Sequence, residues 1–230
     1  MSDPAISVVV PARDAERYIG PAVTSVLAQT LLPREVIVVD DGSRDRTAAI
    51  AGAIGEPVRV LAAGFANIGA ARNAGVEVAT GAFLAFLDAD DLWEPRWLEL
   101  AAAALKGLAG PGVALGGVRQ FLSPELEPAE ARRFRFAEGL REAPLAGALM
   151  ASRETLDLVG PFETGHSGAE FSDWFLRARD LGVAQVRVHE HTLSRRVHGA
   201  NHTLMQPAAV RDHLWALKAS LDRRRARGPA

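Results

Sequence analysis

The chain has 230 residues, enough to bury one sizeable core and to carry an appendage besides. Its composition, 48% hydrophobic and 23% charged, is that of an ordinary globular protein, and a formal net charge of -2 excludes a broad field for nucleic acid or an anionic membrane. Cysteine is absent, which excludes disulfides and thiol catalysis and leaves oxygen and imidazole as the only metal donors.

From Ile6 to about Leu122 short apolar runs alternate with longer segments of helical period, the pattern of βαβ units around a parallel sheet. Ile6-Ser-Val-Val-Val-Pro11 opens as a strand, followed by a crossover helix over Ala15–Gln29. Val36–Val39 is a second strand, Asp45–Ile54 a second helix, Val58–Leu61 a third strand and Gly69–Ala79 a third helix. Ala82–Leu87 is a fourth apolar strand, and Pro95 suits the first position of a helix running to about Leu105. The strands are β-branched or aromatic and apolar nearly throughout, as strands covered on both faces are, and right-handed crossovers set their C-termini on one edge. Val113–Phe121 is read as a strand. Ser123–Pro144 is expected as a mobile loop, because Pro124, Pro128 and Pro144 stand among mixed charges. Ala146–Ser152 is then a strand, Glu170–Leu181 a helix and Val183–Val188 a strand. A last helix, Pro207–Arg227, ends in Arg223-Arg-Arg-Ala-Arg227, which suits a solvated terminus favoured by the helix dipole. Its Leu214, Leu217 and Leu221 stand at helical spacing and must pack on something, a homodimer partner being one candidate. No basic and apolar leader precedes Ile6, and no stretch approaches about 18 apolar residues, so a cytoplasmic protein without an integral membrane segment is expected.

The chemistry concentrates at strand ends. Phe86-Leu-Asp-Ala-Asp-Asp-Leu-Trp93 runs from a buried strand into Asp88, Asp90 and Asp91, where the ligands of open α/β sheets bind. Alternate residues of an extended chain share a face, so Asp88 and Asp90 converge and Ala89 leaves room between them, a pair suited to a hard divalent cation. The plain alternative is a turn in which Asp91 caps the next helix. The second strand ends in Asp40-Asp-Gly-Ser43, where Gly42 permits a tight turn and Ser43 can cap the following helix. The first strand ends in Pro11-Ala-Arg-Asp14, and Asn67-Ile-Gly-Ala-Ala-Arg-Asn-Ala-Gly75 opens a helix. Trp93 and Trp97 can stack on a sugar or an acceptor, or serve as core at helical spacing.

Together Val8–Pro11, Val38–Ser43, Asn67–Gly75 and Leu87–Asp91, in this order and spacing, resemble family 2 glycosyltransferases, a GT-A group that mostly inverts configuration at the sugar. The resemblance covers about Ile6 to Asn201. It implies an α/β fold of GT-A type: a Rossmann-like, mostly parallel central sheet flanked by helices, with a C-terminal helical appendage. Residues 1–122 would form the nucleotide-sugar half, 123–204 the acceptor and catalytic half, and 205–230 the appended helix. By the same resemblance Asp40 bonds the nucleobase edge, Pro11, Ala12, Arg13 and Asp14 line the nucleoside cleft, and Arg72 supports base or phosphate. Asp88 faces the ribose or sugar, with Ala89 beside it, and Asp90 binds Mn2+ or Mg2+ together with Asp88. Ser194-Arg-Arg-Val-His-Gly-Ala-Asn201 resembles the family's Arg-x-His element, which makes Arg196 a partner of the diphosphate and His198 a further metal ligand. The donor implied is a nucleoside diphosphate sugar, UDP favoured, and no nucleic acid is a partner. The acceptor, whether glycan, lipid-linked intermediate, peptide or small natural product, is not written in the sequence.

The acceptor's proton needs a base, which the family supplies from a Glu-Asp pair opening a helix. Aligned on Trp174 to Arg177, the Asp position here holds Phe171. Asp173 is the preferred candidate and Glu170 the second, three apart on one helical face, although both also suit a helix's first turn. His166, in a glycine-bounded segment, is a distant third. Phe171 motivates a rival reading, a nucleotide-sugar-binding or scaffold protein without catalysis. A dinucleotide-binding oxidoreductase is disfavoured because no Gly-x-Gly-x-x-Gly follows the first strand.

Overall fold

Seven consecutive buried residues, Ile6–Ala12, form strand β1 in the interior of the sheet. The computed structural model describes residues 5–134, 139–142, 144–166, 168–199 and 207–227. Around β1 lie α1 (Ile19–Leu27), β2 (Glu35–Asp41), α2 (Thr47–Gly52), β3 (Val58–Ala63), α3 (Ile68–Val78) and β4 (Phe83–Phe86). β1 pairs in parallel with β2 and β4, and β2 with β3, as the alternating sequence pattern predicts.

Beyond β4 the sheet turns mixed. β5 (Leu92–Trp93), α4 (Trp97–Lys106), β6 (Gly112–Leu122), the short helix α5 (Pro128–Ala131), β7 (Leu149–Ser152), α6 (Arg153–Val159), α7 (Glu170–Asp180), β8 (Ala184–Val197) and α8 (Pro207–Arg227) complete the described elements. The strand order is β3-β2-β1-β4-β7-β6-β8-β5. β7 runs antiparallel to both β4 and β6, β6 is parallel to β8, and β5 is antiparallel to β8. The long connection after β6 brings β7 back between two earlier strands, which a reading of successive crossovers does not foresee. Ala146–Ala148 is a 3-10 turn, and the strand begins only at Leu149.

Alternation within the strands builds two cores, one per face. Val8, Val10, Val36 and Val38 pack with α1 and α4 residues such as Val23, Val26, Leu98 and Ala101. Val9, Ile37, Val39, Leu84 and Phe86 pack with Ala71, Leu156, Phe162, Phe171 and Trp174. Phe171 therefore faces the core, and its ring stacks on Phe175 at a centroid distance of 6.2 Å. The two tryptophans are core as well: Trp97 is fully buried, and Trp93 donates from Nε1 to Gly147 O at 2.6 Å.

Two close approaches demand glycine. A Cβ on Gly75 would stand 2.4 Å from Val9 Cγ1, so α3 lies tightly against β1. At Gly116 and Gly117 the β6–β8 register slips, because β8 carries extra residues between Val188 and Leu193. Side chains at those glycines would strike Thr192 Oγ1 at 1.9 Å and Glu190 O at 2.5 Å.

The segment expected as a mobile loop is tied down at both described ends. Glu125 accepts from Ser123 and Tyr18, and Arg141 exchanges two 2.8 Å backbone hydrogen bonds with Val118. Residues 135–138 and 143 of that segment, like Asn201 of the resemblance, lie outside the described residues.

Candidate active site

The carboxyl ends of β1, β2 and β4 open into one cavity of about 590 Å3, closed on its far side by the start of α7 and the end of β8. Pairing of Leu92 with Ser194 and of Trp93 with Leu193 draws the segment after β4 and the end of β8 together, which sets Asp90 and Asp91 beside Arg195–His198. The three clustered acids all line this cavity, yet each has its own partner. Asp88 Oδ1 accepts from Arg72 Nη2 at 2.7 Å, Asp90 Oδ2 meets His198 Nε2 at 2.9 Å, and Asp91 Oδ1 accepts the Arg196 backbone N–H at 2.8 Å. Asp91 does not cap α4. Burial, followed by repulsion from Asp90 and Asp88, pushes its pKa well above the ordinary carboxylate value.

Pro11, Ala12, Arg13, Asp14, Asp88, Ala89, Asp90, Glu170 and His198 all line the cavity, so nine of the sequence-derived candidates are gathered there. Asp40, Arg72, Arg196 and Asp173 are not among the lining residues. Asp40 is 8% exposed, and its buried Oδ1 has no hydrogen-bond partner among the described residues, an arrangement a polar group rarely keeps without a ligand or water. Its neighbour Asp41 lines the cavity and fixes the loop before α3, accepting the backbone N–H groups of Phe65, Ala66 and Asn67 at 2.5, 3.0 and 2.8 Å. Asn67 in turn caps α3 by accepting from Ala70 N. Ser43 caps nothing; it accepts from Asp14 N at 3.0 Å and so ties the first two strand ends together.

Arg72 lies behind the wall, 2% exposed, donating to Asp88 on one side and to Glu170 Oε1 at 2.7 Å on the other. It is a strut between carboxylates rather than a cation in the open cleft. Burial raises the Glu170 pKa, but the Arg72 charge and hydrogen bond outweigh it and hold the carboxyl below its usual range. Arg196 is likewise a strut: it donates to Asp90 O and Ser123 Oγ and lies over the rings of Tyr18 and Phe121. Arg195, one residue earlier and on the opposite face of the strand, lines the cavity instead.

Asp173, the preferred base from the sequence, turns away. It is 4% exposed and accepts from Arg177 Nε at 2.7 Å and Arg223 Nη1 at 3.4 Å, so it fastens α7 to itself and to α8. The second candidate, Glu170, is the one in the cavity wall. His166 does not line the cavity; its ring stacks on Trp215 of α8 at 3.7 Å. Tyr18, Asp41 and Arg195 are lining residues that the motifs did not single out. Strand alternation carried a signal for Asp41 and Arg195, while Tyr18 has none. The Tyr18 ring lies 4.7 Å from that of His198, and its hydroxyl donates to Glu125.

Among the described residues no three His, Asp or Glu side chains form a ready metal cage, and Asp90 with His198 is a two-donor set. No helix among the described residues is long and apolar enough to cross a membrane.

Acids and cations are gathered beyond the carboxyl ends of an open α/β sheet, the edge at which such sheets take their ligands. The chain belongs to glycosyl transferase family 2, whose family model matches residues 7–160. It is 30% identical over 209 residues to Glycosyltransferase AglE of Haloferax volcanii, covering 81% of this chain and 65% of that one. It is 36% identical over 102 residues to the UDP-Glc:alpha-D-GlcNAc-diphosphoundecaprenol beta-1,3-glucosyltransferase WfgD of Escherichia coli, covering 44% and 40%. Its fold is that of the crystal structure of S. aureus TarS 1-349 in complex with UDP-GlcNAc, with a TM-score of 0.76 at 19% identity over 95% of this chain and 66% of that one. The chain thus spans less than two thirds of the length of these relatives.

Proposed function

We propose that the chain transfers a sugar from a nucleoside diphosphate, UDP in the first place, to an acceptor hydroxyl with inversion, assisted by Mn2+ or Mg2+. The observation that carries this reading is the meeting of Asp90 and His198, 2.9 Å apart, in the wall of a cavity that also bears Arg13, Arg195 and Glu170. Two donors held side by side at about 2.1 Å from one octahedral cation lie about 3 Å apart, so the pair fits an ion that keeps water and phosphate oxygens as its other ligands. When bound, that ion acts as a Lewis acid on the departing diphosphate. Preference for UDP is supported by the UDP-GlcNAc complex of TarS and by the donor in the printed name of WfgD.

The chain's own residues supply the rest. Asp40, with its unpartnered Oδ1, is the acceptor for a base N–H, and Arg13 and Arg195 face the diphosphate charge. Asp88, turned by Arg72, keeps an oxygen for the ribose, the sugar or the cation. Glu170, kept ionised by Arg72, takes the acceptor's proton while the acceptor oxygen bonds to the anomeric carbon and the bond from that carbon to the diphosphate breaks.

One observation favours a second reading, binding without turnover: Phe171 is buried where the family's usual Asp stands. Incubation with Mn2+ and a panel of nucleotide sugars separates the two. The transferase reading expects donor hydrolysis or transfer, lowered at least about 100-fold in Asp90→Ala. UDP binding by calorimetry with no turnover for any donor would leave the second, and undiminished activity in Asp90→Ala or in EDTA would remove the cation's role.

A further inference from the structure

We infer that helix α8 seats the protein on an anionic lipid surface. The inner face of this helix is fastened by small and polar groups. Ala216 is fully buried, Ser220 donates to both oxygens of Asp180 at 3.0 and 2.8 Å, and Arg223 and Arg224 donate to the same carboxylate at 3.1 and 2.9 Å. The Trp215 ring lies on His166. These contacts fix the rotation of the helix, and they turn Leu214, Leu217 and Leu221 outward, 60%, 50% and 52% exposed. At about 100° per residue the three leucines fall within roughly 60° of one another, one stripe along the outer face.

Exposed Arg211, Lys218, Arg224 and Arg225 border that stripe, and among the described side chains of α8 Asp222 is the one exposed acid, 3.9 Å from Arg225. From Arg211 to Ala226 the helix has five cations against two acids, and with Asp180, which pairs Arg223 and Arg224, five cations still face three acids, although the whole chain carries -2. The chain's overall charge therefore hides a local one. A second copy laid on the stripe would crowd both sets of cations around the leucines, like charge against like. An anionic bilayer satisfies both features together: acyl chains receive the leucines, and phosphates receive long cationic side chains that reach up to the headgroups. The inference is independent of the transferase reading.

Sedimentation of the full chain with vesicles tests it. On phosphatidylcholine vesicles containing about 30% phosphatidylglycerol at low salt, binding should exceed that on pure phosphatidylcholine at least about tenfold, and it should fall as salt rises. Leu214→Ser with Leu221→Ser, and separately Lys218→Glu with Arg225→Glu, should each lower it about fivefold or more. All four residues are exposed, so circular dichroism and Tm should be unchanged. Absence of binding, or equal binding to neutral and anionic vesicles, overturns the inference. So does light scattering that shows a dimer dissolved by the leucine variant, which would give the stripe to a second copy.

Discussion

Arg72 decides how the two walls of the cavity face each other, because a single buried guanidinium holds Asp88 from the β4 end and Glu170 from the start of α7. Glu170 is thereby placed and ionised, whereas Asp173 is used up in fastening helices. If the transferase reading holds, Glu170→Gln should lower kcat about 100-fold or more with little change in donor KM. Asp173→Asn should leave kcat within about threefold but lower Tm, since it leaves Arg177 without its carboxylate and Arg223 with Asp180 alone. Steady-state kinetics and calorimetry on the two variants check both. A different acid answers to pH. Burial pushes the Glu35 carboxyl up, but hydrogen bonds from Thr80, Ser7 and Arg59 more than reverse this and bring its pKa to about 2. A folded pKa below the unfolded value of about 4.3 means the stabilisation is complete above that value and is lost as pH falls toward 2. Urea denaturation of Glu35→Gln should show a deficit on the order of 3 kcal/mol at pH 7 that shrinks across that window. At this scale the sequence pointed to stretches without saying which of two neighbours meets the cavity. Asp40 and Asp41, like Arg195 and Arg196, stand on opposite faces of a strand, and which face meets the cavity depends on how the strand sits in the sheet.

The elements of the first half were legible because β1, β2 and β4 are buried on both faces and apolar nearly throughout, and each crossover helix has its own period. Gly75 shows how closely they pack. Gly75→Ala would push a methyl group into Val9 Cγ1, and a loss of about 1–3 kcal/mol is expected in urea unfolding. The second half was less legible for reasons visible in its residues. β8 runs on past Val188 through His189-Glu190-His191 to Val197, polar residues of a bulged strand that give no apolar run. β7 has four residues and gives no sign of its antiparallel direction. α6 was passed over although Ser152 caps it by accepting from Thr155 N.

For the molecule as a whole, any ligand that joins β1, β2, β4, α7 and β8 in the folded state stabilises all of them together. UDP at 100 times its Kd should add about 2.7 kcal/mol to unfolding, read as a rise in Tm, and Mn2+ should enlarge that rise if Asp90 and His198 hold the cation. The glycine-lined bulge opposite Gly116 and Gly117 has a mechanical meaning here. β8 before it belongs to the rear of the sheet, and β8 after it carries the imidazole that meets Asp90. Slack is stored between the two stretches. A residue added upstream of the bulge can be taken up there, whereas one added between Leu193 and His198 would carry the ring about 3.3 Å along the strand and away from its carboxylate.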